Sequence, residues 1–126
     1  VMDLDGFKTV NDRHGHQAGD LVLRRLAGIL CEALRTGDTV CRYAGDEFVA
    51  LLPETTVEEA EAVLSRLKER VRTTGYELPD GTVVQVGISV GAAAFPDDGS
   101  SLEELIHRAD KAMYRDKSAG RELAAR

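Results

Sequence analysis

The chain has 126 residues, of which 43% are hydrophobic and 30% charged, as expected for a single folded domain. A domain of this length buries about 65–70% of the surface of its unfolded chain. The formal net charge of −6 argues against a general nucleic-acid-binding surface, although metal ions can reconcile an acidic site with a nucleotide. No apolar run reaches the length of a membrane span, about 18–20 residues, and no signal peptide is evident. We therefore expect a cytoplasmic domain that makes no membrane contact of its own.

The first predicted element is a strand at residues 1–5, whose beginning we expect to precede this chain. Asp3 and Asp5 share one face of it, because side chains two residues apart on a strand point the same way. Residues 7–20 follow as a polar helix and loop in which the two glycines mark turns.

Three amphipathic helices are predicted from apolar residues at helical spacing. The first spans residues 18–34, with Gly37 as its C-terminal cap. The second ends near Thr73 and the third at Gly120, with a frayed tail or a last strand after it. Each of these two helices opens with a capping box, in which a hydroxyl residue precedes a glutamate by three positions. The boxes are Thr56 with Glu59 and Ser101 with Glu104.

A β-hairpin lies between the first two helices. Its strands span residues 39–43 and 46–52, and Gly45 in the two-residue turn between them can adopt a positive φ. A strand is an unfavourable place for an aspartate such as Asp46, and Glu47 adds a second carboxylate beside it. A metal or a substrate outside the strand would explain both.

The last predicted strand spans residues 83–94, after a turn at residues 77–81. Gly87 and Gly91 within it indicate a bulge or a close approach of another backbone. The element order β-α-β-β-α-β-α, with one hairpin and helical crossovers, predicts an α/β (α+β) domain. We expect a mixed or mostly antiparallel central sheet with helices packed on it.

Three groups of residues invite a metal or redox interpretation, and a simpler one is favoured for each. Cys31 and Cys41 are predicted to be buried and reduced, with a disulfide as the less favoured alternative. His14 and His16 are predicted to pack or cap, because a complete set of metal ligands is missing. A calcium loop at residues 3–14 is excluded, because its last position is a histidine instead of a glutamate.

If the first strand lies beside the hairpin, Asp3 and Asp46 meet at one end of the sheet. Two adjacent carboxylates repel unless a cation lies between them, and Mg²⁺ suits such a pair because it also takes phosphate oxygens. The Leu4 carbonyl could complete the site. On a regular strand Asp46 and Glu47 point to opposite faces, so we expect Asp46 alone to join Asp3. A solvated acidic cluster is the alternative interpretation.

Basic residues stand where a phosphate chain would need them. Lys8 closely follows the first strand, and Lys117 and Arg121 are four residues apart around a helix end. Asn11 and Asp20 offer an amide and a carboxylate that match the hydrogen-bonding edge of guanine.

Several motifs together resemble the diguanylate cyclases with a GGDEF domain. They occur in order along nearly the whole chain: residues 3–8 (DLDGFK), 11–12 (ND), 15–16 (GH), 19–20 (GD), 42–48 (RYAGDEF), 109–114 (ADKAMY), Lys117 and 120–121 (GR). The resemblance implies one GGDEF domain over residues 1–126, N-terminally incomplete, with the palm-like fold of nucleotide cyclases. It implies condensation of two GTP molecules to cyclic di-GMP and pyrophosphate by a homodimer in the bacterial cytoplasm, within a parent protein that can be membrane-anchored.

The resemblance also implies roles for individual residues and two Mg²⁺ (or Mn²⁺) ions per active site. It implies catalytic roles for Asp46, Glu47 and Lys117; substrate-binding roles for Lys8, Asn11, Asp20, Arg121 and Gly45; and metal ligation by Asp3, Asp46 and the Leu4 carbonyl.

Arg35 and Asp38 resemble the family's inhibitory site for cyclic di-GMP, with Arg66 as a second arginine. The alternative is an ordinary arginine at a helix end and a loop aspartate. One position departs from the signature: Ala44 stands where the family has glycine, which would be unfavourable if a positive φ were required there. A non-catalytic module that senses GTP or cyclic di-GMP is therefore the competing function.

Overall fold

The computed structural model describes the backbone of residues 1–125 and the side chains of residues 1–120. Its elements, in chain order, are β1 Met2–Asp5, α1 Phe7–His14, α2 His16–Ala33, β2 Thr39–Ala44, β3 Glu47–Leu51, α3 Val57–Thr73, β4 Tyr76–Glu77, β5 Val83–Val84, β6 Gly87–Val90 and α4 Leu102–Ala125.

Four strands form the central sheet in the order β2-β3-β1-β6, and every neighbouring pair is antiparallel. β1 therefore lies between β3 of the hairpin and β6, which confirms that the first strand lies beside the hairpin. β4 and β5 form a separate two-stranded sheet. The predicted α/β (α+β) class with a mostly antiparallel sheet is confirmed.

The alternation of side chains along β1 separates the core from the site. Met2 and Leu4 are buried in the main hydrophobic cluster, together with the apolar stripe of α2. Asp3 and Asp5 point to the opposite face, where the side chain of Lys117 on α4 reaches them. The buried α2 residues are Ala18, Gly19, Val22, Leu23, Leu26, Ile29 and Leu30, which confirms the predicted helix and its stripe.

The capping box of α3 is confirmed at the Thr56 hydroxyl, whereas the Glu59 carboxylate binds that hydroxyl instead of the Thr56 N–H. The Thr56 hydroxyl accepts from the Glu59 N–H and donates to the Glu59 carboxylate, each at 3.1 Å, and α3 ends at Thr73 as predicted. At α4 the Ser101 hydroxyl accepts from the Glu104 N–H at 3.2 Å, whereas the Glu104 carboxylate accepts from Ser100.

Three glycine predictions are wrong. Gly19 lies within α2 and is buried, and Asn11 occupies the space that a side chain at this position would need. Gly37 does not cap α2: the helix ends at Ala33, Leu34 is already extended, and the carboxylate of Asp38 accepts the Arg35 N–H at 2.9 Å. Gly120 does not end α4, which continues to Ala125 in place of a last strand. One interior glycine costs a helix only about 1 kcal/mol, which tertiary packing can outweigh.

The strands and turns after α2 also differ from the prediction. The hairpin turn lies one residue later than predicted, at Gly45 and Asp46, with Gly45 at φ 46° and Ala44 as the last residue of β2. The predicted strand at residues 83–94 is two short strands in different sheets, so β4 and β5 were missed as a hairpin. The close approach predicted at Gly91 is confirmed, since a Cβ there would overlap the backbone of α4.

The cysteines are free, but both are exposed, so their predicted burial is wrong. Cys31 lies on α2 and Cys41 on β2, and both line the groove between that helix and that strand. His14 and His16 are also exposed, so the predicted packing is wrong, and the cap residue between α1 and α2 is Gly15, with no side-chain cap bond to α2.

Candidate active site

Lys117 and the two aspartates of β1 form the centre of the site. The Lys117 ammonium donates to Asp3 Oδ2 at 2.9 Å and to Asp5 Oδ1 at 3.1 Å. The side chains of Lys117 and Asp3 are 17% and 19% exposed, so this contact is shielded from most of the solvent. Burial lowers the pKa of Lys117, but the hydrogen bonds and charges of the two aspartates outweigh it and raise that pKa above its usual value.

The hairpin turn brings Asp46 to the same end of β1. The Leu4 N–H donates to the main-chain oxygen of Asp46 at 3.1 Å, which ties the turn to β1. Within the turn, Arg42 Nε donates to the Gly45 carbonyl at 2.6 Å. The positive φ of Gly45 is what allows the chain to reverse here, and Ala44, which lies within β2, does not need one.

Asp3 and Asp46 lie close enough for their charges to interact. Burial, and then the neighbouring Asp3 carboxylate, raise the pKa of Asp46 above its usual value. Asp3 Oδ1 is buried and has no hydrogen-bond partner among the described residues. A nearby cation or donor would stabilise an oxygen in this state, because an unpaired buried polar atom costs free energy.

Glu47 is directly opposite Asp3 in the pairing of β1 with β3, and directly opposed residues share a face of the sheet. The expectation that Asp46 alone would join Asp3 is therefore wrong: Asp46 lies in the turn, where the strand alternation does not apply, and both carboxylates approach Asp3. Burial, Asp110 of α4 and then Asp3 raise the pKa of Glu47.

Three contributors to this cluster were missing from the predicted site. Asp5 accepts from the Ser89 hydroxyl at 2.9 Å through both carboxylate oxygens, and Asp110 faces Glu47. The shared face of Asp3 and Asp5 was a sequence signal for Asp5. Asp110 lies in the quoted motif at residues 109–114, which was a signal for it, whereas Ser89 carried none, because strand pairing brings it in. Among the described residues, no three His, Cys, Asp or Glu side chains converge closely enough to hold a metal ion by themselves.

The two residues predicted to recognise guanine lie on either side of the break between α1 and α2. Asn11 is half-buried near the end of α1, and its Oδ1 is buried without a partner among the described residues. A Cβ on Gly19 would overlap this oxygen, so the glycine sets the position of the amide. Asp20 is exposed in the first turns of α2, and Lys8 is exposed in the first turn of α1. The side chain of Arg121 lies outside the described residues.

Arg35 and Asp38 are in contact at the end of α2. Arg35 Nε lies 3.6 Å from Asp38 Oδ2, and the Asp38 side chain is 5% exposed. Arg35 also donates to the Pro53 carbonyl at 3.1 Å and to the Thr55 hydroxyl at 2.6 Å, which holds the loop before α3. Arg66 is exposed on α3. This arrangement gives Arg35 and Asp38 a structural role at the end of α2.

A groove of about 390 Å³ between β3, α3 and α4 is mainly apolar, and none of its described lining residues belongs to the predicted site. In the described part of the chain, no helix combines the length and the apolar character that a bilayer crossing requires.

Comparison with known proteins connects this geometry to one family. Residues 1–123 match the family described as "Diguanylate cyclase, GGDEF domain". Diguanylate cyclase A of Treponema denticola is 39% identical over 96% of this chain and 32% of its own length. The response regulator PleD of Caulobacter vibrioides is 37% identical over 96% of this chain and 27% of its own. The chain thus spans about a third or less of these relatives.

Solved structures support the same assignment. The GGDEF domain of YfiN (TpbB) from Pseudomonas aeruginosa superimposes with a TM-score of 0.88 and 36% identity, covering 94% of this chain and 69% of that one. The GGDEF domain of DgcB from Caulobacter crescentus, solved in complex with c-di-GMP, has a TM-score of 0.87 and 29% identity, covering 94% of this chain and 70% of that one. These similarities confirm the predicted palm-like cyclase fold.

Proposed function

This chain belongs to the GGDEF family of diguanylate cyclases, and we propose that it condenses two GTP molecules into cyclic di-GMP with release of two pyrophosphates. The observation that carries the proposal is the pairing of Asp3 with Asp46 beside Lys117, with Asp3 Oδ1 buried and unpartnered. A carboxylate pair and an ammonium in one place suit a metal-bound triphosphate better than either group would alone.

We propose that Asp3, Asp46 and the Leu4 carbonyl hold Mg²⁺ (or Mn²⁺), two ions per site. The donors fit this group because they are all oxygens and because one of them lacks a protein partner. The raised pKa of Asp46 also fits, since a cation between the two carboxylates would relieve their repulsion. When bound, the ions neutralise charge on the α-phosphate and on the leaving pyrophosphate.

The remaining residues would bind and orient GTP. Lys8, Lys117 and Arg121 would contact phosphates, and the small Gly45 would let the turn approach them. Asn11 would donate to guanine O6, and Asp20 would accept from its N1–H and N2–H₂. The unpaired Asn11 Oδ1 supports this assignment, because an amide held against Gly19 is pre-positioned for a ligand.

In the reaction, the 3′-hydroxyl of one GTP attacks the α-phosphorus of the other. A bond from O3′ to phosphorus forms, and the bond from phosphorus to the pyrophosphate oxygen breaks. Repeating the step in the opposite sense closes the ring. Glu47 would accept the proton of the 3′-hydroxyl, since burial and its acidic neighbours make it a stronger base than an ordinary glutamate. Because the product is two-fold symmetric and each domain holds one GTP, the reaction needs a homodimer.

We further propose that cyclic di-GMP inhibits the enzyme at Arg35 and Asp38, with Arg66 contributing. The c-di-GMP complex of the DgcB domain supports product binding in this family. The guanidinium of Arg35 is largely exposed and could reach a ligand, at the cost of its contacts with Pro53 and Thr55.

The test is to incubate the full-length protein, as a verified dimer, with GTP and Mg²⁺ and to separate the products by chromatography. We expect cyclic di-GMP and pyrophosphate in a 1:2 ratio. Asp46→Asn, which keeps the size of the side chain, should lower the rate by at least about 100-fold. Absence of product from the dimeric wild-type protein would contradict the proposal and favour the sensor.

The sensor alternative depended on Ala44. The condition for backbone strain is not met, because Ala44 lies in β2 and has no positive φ. Its methyl group can still affect how a nucleotide fits, and the product assay decides this point. The prediction that the domain begins before Val1 stays a prediction.

A further inference from the structure

Asp116 holds together three elements beside the site. Both oxygens of its carboxylate accept from Lys68 Nζ of α3 at 2.8 Å, and Oδ2 also accepts from the Val90 N–H of β6 at 2.9 Å. The side chain is 28% exposed and Lys68 is 39% exposed, so the group is only partly hydrated. One carboxylate on α4 therefore contacts both α3 and the sheet.

The contact with Val90 is at the outer edge of the central sheet. β6 is the last strand in the order β2-β3-β1-β6, so its outer N–H groups have no strand partner among the described residues. A backbone N–H without a strand partner needs an acceptor from elsewhere in the protein. A hydrogen bond to a charged carboxylate is stronger than one to a neutral acceptor. The contact with Asp116 thus fixes the position of α4 along the length of β6.

Asp116 is followed directly by Lys117. On an α-helix each residue advances about 1.5 Å and turns about 100°, so a contact that fixes one residue also fixes the height and rotation of the next. A second contact supports this placement, because a Cβ on Gly91 would overlap the backbone of α4 one turn earlier. The ammonium of Lys117 is the group that this placement delivers to Asp3 and Asp5.

We propose that Asp116 is a positioning residue: its contacts with Val90 and Lys68 set α4 so that Lys117 reaches the aspartates of β1. The proposal deepens the proposed function and rests on it where it concerns GTP, because a displaced Lys117 would hold the phosphates less well. The placement of Lys117 itself does not depend on nucleotide.

The first experiment measures that placement without nucleotide. The full-length protein is treated with a limiting amine-acylating reagent, and labelling of each lysine is followed by mass spectrometry. In Asp116→Ala we expect Lys117 to label at least about threefold faster relative to the exposed Lys8 and Lys111. Asp116→Asn keeps an acceptor for Val90 and loses the ion pair, and Lys68→Met loses the same pair from the other side. Both variants should label Lys117 about twofold faster than the wild-type protein does, relative to Lys8 and Lys111.

Equal labelling of Lys117 in wild type and Asp116→Ala would overturn the proposal. If Asp116→Ala does not fold, the same comparison with Asp116→Asn decides. A uniform increase at all three lysines would also overturn it, since that result indicates general loosening of the fold.

The second experiment measures the dissociation constant for a non-hydrolysable GTP analogue with Mg²⁺. Asp116→Ala should weaken binding about 3- to 10-fold, and Lys117→Ala should weaken it more. In the double variant, Asp116→Ala should add nothing, because it acts through a side chain already removed. Additive losses would overturn the proposal. If the wild-type protein does not bind the analogue, the proposed function fails, while the labelling experiment still decides the role of Asp116.

Discussion

The ammonium of Lys117 lies 2.9 Å from Asp3 Oδ2 across 114 residues of chain, and this contact joins α4 to the middle of the central sheet. The same ammonium reaches Asp5 at 3.1 Å. One lysine therefore offsets the charge of two carboxylates on β1, and removing it would leave both without their cation.

Lys117→Met should destabilise the domain by about 1–3 kcal/mol, because partly buried carboxylates that lose their partner keep the cost of desolvation. Urea unfolding at neutral pH measures the change. Mg²⁺ should raise the free energy of unfolding more in this variant than in the wild-type protein, since a cation can replace the missing ammonium. A matched substitution at the exposed Lys111, Lys111→Met, is the control and should have little effect. Equal stability of the two variants would show that the contact with Asp3 contributes nothing.

The raised pKa of Asp46 predicts how stability depends on pH. The folded state holds the proton of the Asp46 carboxyl more tightly than the unfolded state, whose Asp46 has the usual pKa of 3.8. The free energy of unfolding therefore falls as the pH rises from 3.8 through the folded pKa. Asp46→Asn removes the charge and should raise the urea midpoint at pH 7, with the advantage disappearing as the pH approaches 3.8.

Asp97→Asn, at an exposed loop position, serves as the control for Asp46→Asn and should change the urea midpoint at pH 7 little. Mg²⁺ should stabilise the wild-type protein at pH 7 and have little effect on Asp46→Asn. A wild-type protein that gains no stability from Mg²⁺ would contradict the assignment of Asp46 as a ligand.

The contact of Gly19 with Asn11 predicts a substitution that disturbs guanine recognition without touching a recognising residue. In Gly19→Ala the new methyl group would overlap Asn11 Oδ1 and displace the amide. We expect binding of a GTP analogue to weaken about tenfold, as in Asn11→Ala, and preference over the ATP analogue to fall in both variants. Isothermal titration with the two analogues measures this.

Gly28→Ala is the matched control on the same helix, because its added Cβ would meet nothing within 4 Å apart from its chain neighbours and the backbone of its own helix. It should leave nucleotide binding unchanged and raise helix stability by about 0.5–1 kcal/mol. If Gly19→Ala binds GTP as tightly as Gly28→Ala does, the placement of Asn11 by Gly19 has no part in recognition.

The contacts of Arg35 separate product inhibition from loop stability. Arg35→Ala should abolish inhibition by cyclic di-GMP and also destabilise the loop slightly, by about 0.5–1 kcal/mol, because its bonds to Pro53 and Thr55 are lost. Thr55→Val should produce a similar small destabilisation and retain inhibition. Initial rates at increasing cyclic di-GMP, together with urea midpoints, distinguish the two effects. Persistent inhibition in Arg35→Ala would remove Arg35 from the inhibitory site.

Features that depend on residues close in sequence could be predicted from the sequence alone. The apolar stripe of α2, the capping box of α3 and the hairpin around Gly45 all follow from spacings of a few residues. The family followed from motifs spread over the chain, because residue types in a fixed order are themselves sequence information. The shared face of Asp3 and Asp5 followed from the two-residue period of a strand.

What only the tertiary structure decided involves contacts between distant parts of the chain. The pairing of Asp3 with Glu47 depends on strand register, and the contact of Gly19 with Asn11 depends on how α1 packs on α2. Local propensity could not place the end of α4, since one interior glycine costs a helix only about 1 kcal/mol and so does not end it by itself. Lys117 reaches β1 because the folded chain brings α4 against the sheet, where desolvation makes the position of one ammonium matter. The sequence by itself determined which chemical groups the site contains, and the tertiary structure decided which of them meet.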